Sequence, residues 1–203
     1  MQKNIYKPPL IFCFILVQLL IGCKTNYTQF YEDEQNSGLS IFSNQNFNVA
    51  SCYINNIPWR TADRVKGGFS RTSISYEVYI SKEQSPSSKD TLSVRWDGYD
   101  NTSTPVRYIR FAIPVAKDFT YRSLNLLSGQ RVVIDGTNSY FEINSGSGKG
   151  KGVIYFHQLK LDSLPNIGYT GKMSGLFEAQ IPGFTITKGR FDHLLESGFM
   201  FRL

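Results

Sequence analysis

Few residues of this 203-residue chain have types and spacing that could do chemistry. The two histidines, His157 and His193, are far apart in sequence. No His-Glu-x-x-His or Cys-x-x-Cys pair accompanies them, so no metal site is expected. No Gly-x-Ser-x-Gly elbow supplies a hydrolase nucleophile. The run Ser145-Gly-Ser-Gly-Lys-Gly-Lys-Gly152 invites a phosphate reading. However, Lys149 and Lys151 are each followed by Gly, so the hydroxyl that would hold magnesium is missing. The run reads as a flexible loop between strands, with no catalytic residue and no cofactor implied.

Two groupings remain. Asp97-Gly98-Tyr99-Asp100-Asn101 gathers oxygen ligands in a turn, without the spacing of a calcium loop. Asp97 with Asp100 is the carboxylate pair a glycosidase would need. Trp59 and Trp96, with Tyr76, Tyr79, Tyr99 and Tyr108, could build an aromatic platform for a sugar, although such rings also fill β cores. Trp59, Trp96, Asp97, Tyr99 and Asp100 are therefore the candidate ligand-binding residues.

The N-terminus carries an address. Lys3 and Lys7 precede an apolar run from Leu10 to Leu20, broken by Gln18. That run is too short for a comfortable membrane span. It ends in Leu20-Ile21-Gly22-Cys23, which resembles the bacterial lipobox. The resemblance implies cleavage before Cys23, a diacylglyceryl group on its sulfur and an acylated amine. Residues 1–22 are then a signal peptide, and the protein is held to a membrane by acyl chains. Lys24 stands where an Asp would mark inner-membrane retention, which favours the outer membrane. Cys13 leaves with the signal, so Cys52 is the one free thiol. It sits in an alternating apolar segment and reads as a small core residue.

Without Lys3 and Lys7, 20 basic and 16 acidic residues remain, a net charge of +4. The basic residues are scattered, which argues against a nucleic-acid partner. Residues 24–45 are polar and acidic and read as a tether, although Phe30, Tyr31, Ile41 and Phe42 could pack on the domain. From 46 to 203 strand signals follow one another: 47–54, 74–80, 90–96, 106–113, 131–134, 137–143, 153–161, 173–181 and 184–191. In 106–113, Ile109, Phe111 and Ile113 form a core face and Arg110 points to solvent. Val153, Tyr155, His157 and Leu159 share one face of 153–161. Asp135-Gly136 supplies the positive φ angles of a two-residue type I′ hairpin. Pro182-Gly183 marks another turn, 192–197 can form one helical turn, and 198–203 can dock as an edge strand. The predicted fold is all-β: one antiparallel sandwich or flattened barrel of about 8–10 strands.

Phe47-Asn-Val-Ala50-Ser-Cys-Tyr-Ile54-Asn55-Asn-Ile-Pro58-Trp59 resembles the opening element of small cell-envelope lipoproteins of Bacteroidetes. Gly175-Leu-Phe177 with Ile186-Thr187-Lys-Gly189-Arg190-Phe191-Asp192 resembles their closing hairpin. The family is one of unknown function, so the resemblance implies location and fold and carries over no catalytic residue. In that lineage Asp90-Thr91-Leu92 and Asp162-Ser163-Leu164 resemble O-glycosylation sites. Three functions remain open. They are a lipid-anchored β module that binds or supports, a glycan-binding or glycan-processing surface protein, and an accessory or immunity-type lipoprotein that binds a partner protein. The anchor has a direct test. Cys23→Ser should move the protein from the detergent phase to the aqueous phase in a phase partition, and intact mass should lose the acyl increment. Unchanged partitioning would overturn the lipobox assignment.

Overall fold

The computed structural model describes residues 30–61, 76–82, 89–102, 105–144, 146–164 and 168–196. The signal peptide, Cys23, the first part of the tether and the 198–203 edge strand lie outside the described residues. The hairpin β1 (Glu32–Asp33) and β2 (Asn36–Ser40) precedes ten strands of one antiparallel sheet. These are β3 (Val49–Ile54), β4 (Ile57–Thr61), β5 (Tyr76–Ser81), β6 (Asp90–Asp100), β7 (Tyr108–Val115), β8 (Arg131–Ile134), β9 (Tyr140–Ile143), β10 (Lys151–Leu164), β11 (Gly168–Ile181) and β12 (Phe184–Glu196). A 3-10 helix, Tyr121–Leu127, joins β7 to β8. The sheet runs β8-β10-β11-β12-β3-β4-β6-β7-β9, and β5 shares one edge of β6 with β4. The result is a nearly closed all-β barrel.

Closure depends on one broken strand. β8 pairs with β10, Ile134 opposite Gly152, whereas β9 pairs with β7, Phe111 opposite Phe141. Between them the Asp135 carboxylate accepts the N–H groups of Thr137 (2.7 Å) and Ser139 (3.0 Å). Those bonds hold its pKa well below the usual carboxylate range. The expected type I′ hairpin at Asp135-Gly136 is therefore not formed. The side chain captures the backbone in an Asx turn, and the chain crosses from one flank of the sheet to the other. Phe141 and Gly150 then exchange both backbone hydrogen bonds (2.9 and 2.8 Å), which joins β9 to the start of β10. Past β8, the free edge of β10 meets the helix region instead of a strand. Ser128 Oγ accepts from Leu159 N–H, and Asn125 Oδ1 accepts from Leu161 N–H.

The true hairpins lie elsewhere. Asn55 and Asn56 both have positive φ (49° and 67°), which makes the two-residue turn between β3 and β4. Asn55 also bonds Gly183 O and Thr185 N, tying this turn to the Pro182-Gly183 turn between β11 and β12. The expected helical turn at 192–197 is corrected, because β12 continues to Glu196 as a partner of β11. On β10, a bulge skips residue 157 in the pairing with β11. Alternation inverts there, so Val153, Tyr155 and His157 face outward and Leu159 inward. This corrects the expected single face.

Aromatic rings fill the interior. Trp96 lies 5.0 Å from Phe177, 5.2 Å from Phe191 and 5.6 Å from Phe111, centroid to centroid. Phe141 and Phe156 extend the contacts to the far wall at 6.1 Å from Phe111. Cys52 is buried in this core, and burial pushes its thiol pKa up.

The segment 24–45, expected as a tether, belongs to the fold from β1 onward. Leu39 is fully buried, and Arg190 of β12 donates to Asp33 (2.6 Å) and to Ser40 O (3.0 Å). Asp192, also buried, accepts from the N–H groups of Gln45, Asn46 and Phe47 (3.0 to 3.2 Å) and from the Ser43 hydroxyl. A buried carboxylate is tolerated when backbone donors replace its water. Hydrogen bonds from Asn36, Arg190 and Gln35 lower the Asp33 pKa to about 2 from 3.8. A depressed carboxylate contributes stability above its unfolded pKa and loses it as pH falls through the folded value. The melting temperature should therefore drop between pH 4 and 2 by a larger margin in the wild type than in Asp33→Asn. Parallel pH profiles would show that the clasp contributes nothing.

Candidate functional site

The candidate ligand residues named from sequence do not form one site. Trp59 and Trp96 are fully buried. The Trp59 indole donates to Val106 O (2.8 Å), and Trp96 stands in the ring stack. No sugar can reach either face, so the tryptophan platform is corrected to core packing. Tyr76 is buried too, stacked on His193 at 4.1 Å. Asp97 and Asp100 point to opposite faces of β6, because side chains three apart on a strand alternate. Asp97 accepts from Arg95 (2.9 and 2.7 Å) on the outside. Asp100 accepts from Thr102 N–H (3.0 Å) and Val106 N–H (3.1 Å) and shapes its turn. The carboxylate pair is thus overturned. Tyr99 remains exposed, its phenol oxygen accepting from Arg60 (2.8 and 3.2 Å). Among the described residues no cluster of three metal ligands occurs.

A different constellation lies on the outer face of β5, β6, β7 and β9. The register sets Glu77, Arg95, Arg110 and Glu142 side by side in one row across four strands. In the next row Tyr79 and Tyr140 flank Ser93 and Ala112. These two small residues are buried on an outward face, covered by their neighbours. Arg110 is the hub. It donates to Tyr79 Oη (3.2 Å), Tyr140 Oη (2.8 Å) and Glu142 (2.6 Å). Partial burial works against its charge, yet the facing phenols and Glu142 prevail and raise its pKa above the ordinary arginine value. Arg95 lies 4.3 Å above the Tyr108 ring, and Lys149 sits 4.3 Å above the Tyr140 ring. Glu77, Tyr79, Arg95, Tyr108 and Arg110 line a hollow of about 260 Å³.

Two arginines directly opposite on neighbouring strands repel, and a sheet with no further use for that face does better with opposite charges there. Here each guanidinium has a carboxylate of its own and a ring beside it. The hollow offers fixed donors, acceptors and aromatic faces, which are the parts of a recognition surface. A larger hollow of about 590 Å³ lies beside Ile80, Phe119 and Tyr121 and is mainly apolar. Its amine, Lys82, is held by Asp90 (2.6 Å) and Phe119 O (2.7 Å).

Tyr79 and Tyr108 were legible as surface candidates, and Arg110 as an outward residue. Glu77, Arg95, Tyr140 and Glu142 were not. The available signal was the outward phase of each strand, and the missing one was register, which aligns the four strands. No family model, curated protein or solved structure matches the chain. The class that fold and face together define is a nearly closed antiparallel barrel with an Arg–Tyr ladder outside. Arg110→Met should lower unfolding stability by about 1–3 kcal/mol, since three partners lose their donor. Arg95→Met, at an exposed pair, should cost under about 1 kcal/mol. Equal losses in denaturant titration would contradict the hub assignment.

Proposed function

We propose that this protein is a lipid-anchored cell-envelope protein whose barrel is a saccharide-binding module, with the Arg95–Arg110 hollow as its binding surface. The observation that carries the reading is the row Glu77-Arg95-Arg110-Glu142 flanked by Tyr79, Tyr108 and Tyr140 on a face the core does not need. Sugar rings present apolar CH faces to aromatic rings and hydroxyls to guanidinium and carboxylate groups. The hollow offers both within one small volume. Net charge within the row is balanced, which suits a hydroxyl-rich ligand better than a polyanion. The anchor half of the reading is supported by Leu20-Ile21-Gly22-Cys23, and the envelope location follows from it.

Full-length protein in detergent, screened on an array of bacterial and host glycans, should retain a defined saccharide. Tyr108→Ala or Arg95→Ala should weaken the dissociation constant at least about tenfold, or roughly 1.4 kcal/mol. Tyr155→Ala, on a different face, should bind as wild type. An empty array, or retention indifferent to Tyr108 and Arg95, would sink the proposal. A specific protein recovered in place of a glycan would favour the accessory role.

A further inference from the structure

The barrel presents a second outer face whose chemistry differs from the first. On β8, β10 and β11 the register brings together Val133, Val153, Tyr155 and Leu176. Val133 is 62% exposed and Leu176 41%. The stripe does not stop at the sheet. His157 touches Tyr155 on one side and Phe42 on the other, with ring centroids 6.4 and 5.5 Å apart. Phe42 follows Ile41, whose N–H bonds Tyr31 O, and Tyr31 is 52% exposed. One band, mainly apolar but interrupted by Arg131 opposite Tyr155 and Glu178 opposite Val153, therefore runs from the wall of the barrel to the N-terminal hairpin. A shallow concavity of about 420 Å³ lies within it, edged by Arg131 and Lys188, with Glu178 the acidic residue on its rim.

Exposed aromatic and aliphatic side chains grouped on one wall of a barrel signal something that covers them. Chain length says what is near. Six residues separate Cys23 from Phe30. A fully extended chain advances roughly 3.5 Å per residue, so Phe30 lies within about 25 Å of Cys23. The hairpin that begins the band is the first folded element after the anchor. Tyrosine and phenylalanine with aliphatic neighbours and a fringe of Arg and Lys are the residues that settle at a membrane–water interface.

We propose that this band docks on the bilayer surface, so that the lipidated chain lies with β8, β10 and β11 against the headgroups. The proposal rests on the lipid anchor at Cys23. Anchor and band act as two linked contacts, the first raising the effective concentration of the second. Neither aromatics nor cations need to span anything. They rest at headgroup depth.

The test uses full-length lipidated protein reconstituted into vesicles of phosphatidylethanolamine and phosphatidylglycerol. An environment-sensitive fluorophore is placed at Val133→Cys, at Leu176→Cys or, outside the band on β6, at Asp97→Cys, while the buried Cys52 stays unlabelled. Quenching by doxyl-labelled lipid should be several-fold stronger at Val133 and Leu176 than at Asp97, and iodide quenching correspondingly weaker. Protein that floats with the vesicles but shows equal doxyl quenching at all three sites would overturn the docking while leaving the anchor intact. Protection from iodide without doxyl quenching would mean that a second copy or another protein covers the band. Failure to float at all would remove the anchor and the docking with it.

Discussion

The structure depends on how a ten-stranded sheet closes on itself. An open sheet of this size would leave two edges of unpaired N–H and C=O groups. Here both edges are supplied by one stretch of chain, residues 131–143, broken at Asp135. Its first half completes the pairing of β10 and its second half that of β7. The Asp135 carboxylate sets the break by taking two N–H groups that would otherwise have continued a ladder. Glycines hold the seam. A Cβ at Gly152 would fall 2.2 Å from Glu178 O and 2.8 Å from the Phe141 ring, and one at Gly150 would fall 2.5 Å from Gln180 O. The glycines of the 145–152 run that matter most are thus there for close approach of strands, beyond any flexibility of a loop.

Closure decides what the aromatics do. A small closed barrel is filled by side chains, and here the filling is Trp96 with Phe111, Phe141, Phe156, Phe177 and Phe191. Removing even one such ring typically costs about 3–5 kcal/mol. Any recognition is therefore left to the outer faces, where side chains are released from packing. The Arg–Tyr ladder is the outer counterpart of the ring stack. Its small residues, Ser93 and Ala112, let Tyr79 and Tyr140 lie close to the sheet and within reach of Arg110.

How far the sequence could be read follows the same divide. Strand identity was legible because alternation survives in single segments. The 106–113 run, with Ile109, Phe111 and Ile113 inward and Arg110 outward, is the plainest case. Partnership was not legible. Asp135-Gly136 has the residues of a type I′ turn, but the choice between hairpin and corner is made by what β7 and β10 offer, far along the chain. The polar composition of 24–45 suggested a tether, because its apolar content is low. Its order comes from Arg190 and Asp192, two charged residues some 150 positions away that accept and supply its backbone contacts. Tryptophan is equally at home on a platform and in a core, and side-chain type alone cannot separate the two. The bulge at His157 inverted the phase of β10, and a bulge leaves no mark in composition.

The two outer faces are also related in space. In strand order β11 stands across the barrel from β6, whereas β10 and β7 approach each other through the broken strand β8–β9. The N-terminal hairpin is clasped to β12, next to β11, by Arg190 to Asp33 and by Lys188 to Asn36. A partly buried ion pair of this kind contributes modestly to stability and fixes a position, since Arg190 is the more deeply covered partner and is penalised if left alone. Its effect is to lock the start of the folded chain to one side of the barrel. Phe30 itself lies under the Arg60 guanidinium, which bonds Tyr99 of β6, while Phe42 further along the segment reaches His157 of β10. The N-terminal segment is thus laid across the outer wall between β4 and β10, and two charged residues of β12, Arg190 and Asp192, do for it what backbone pairing does for the strands.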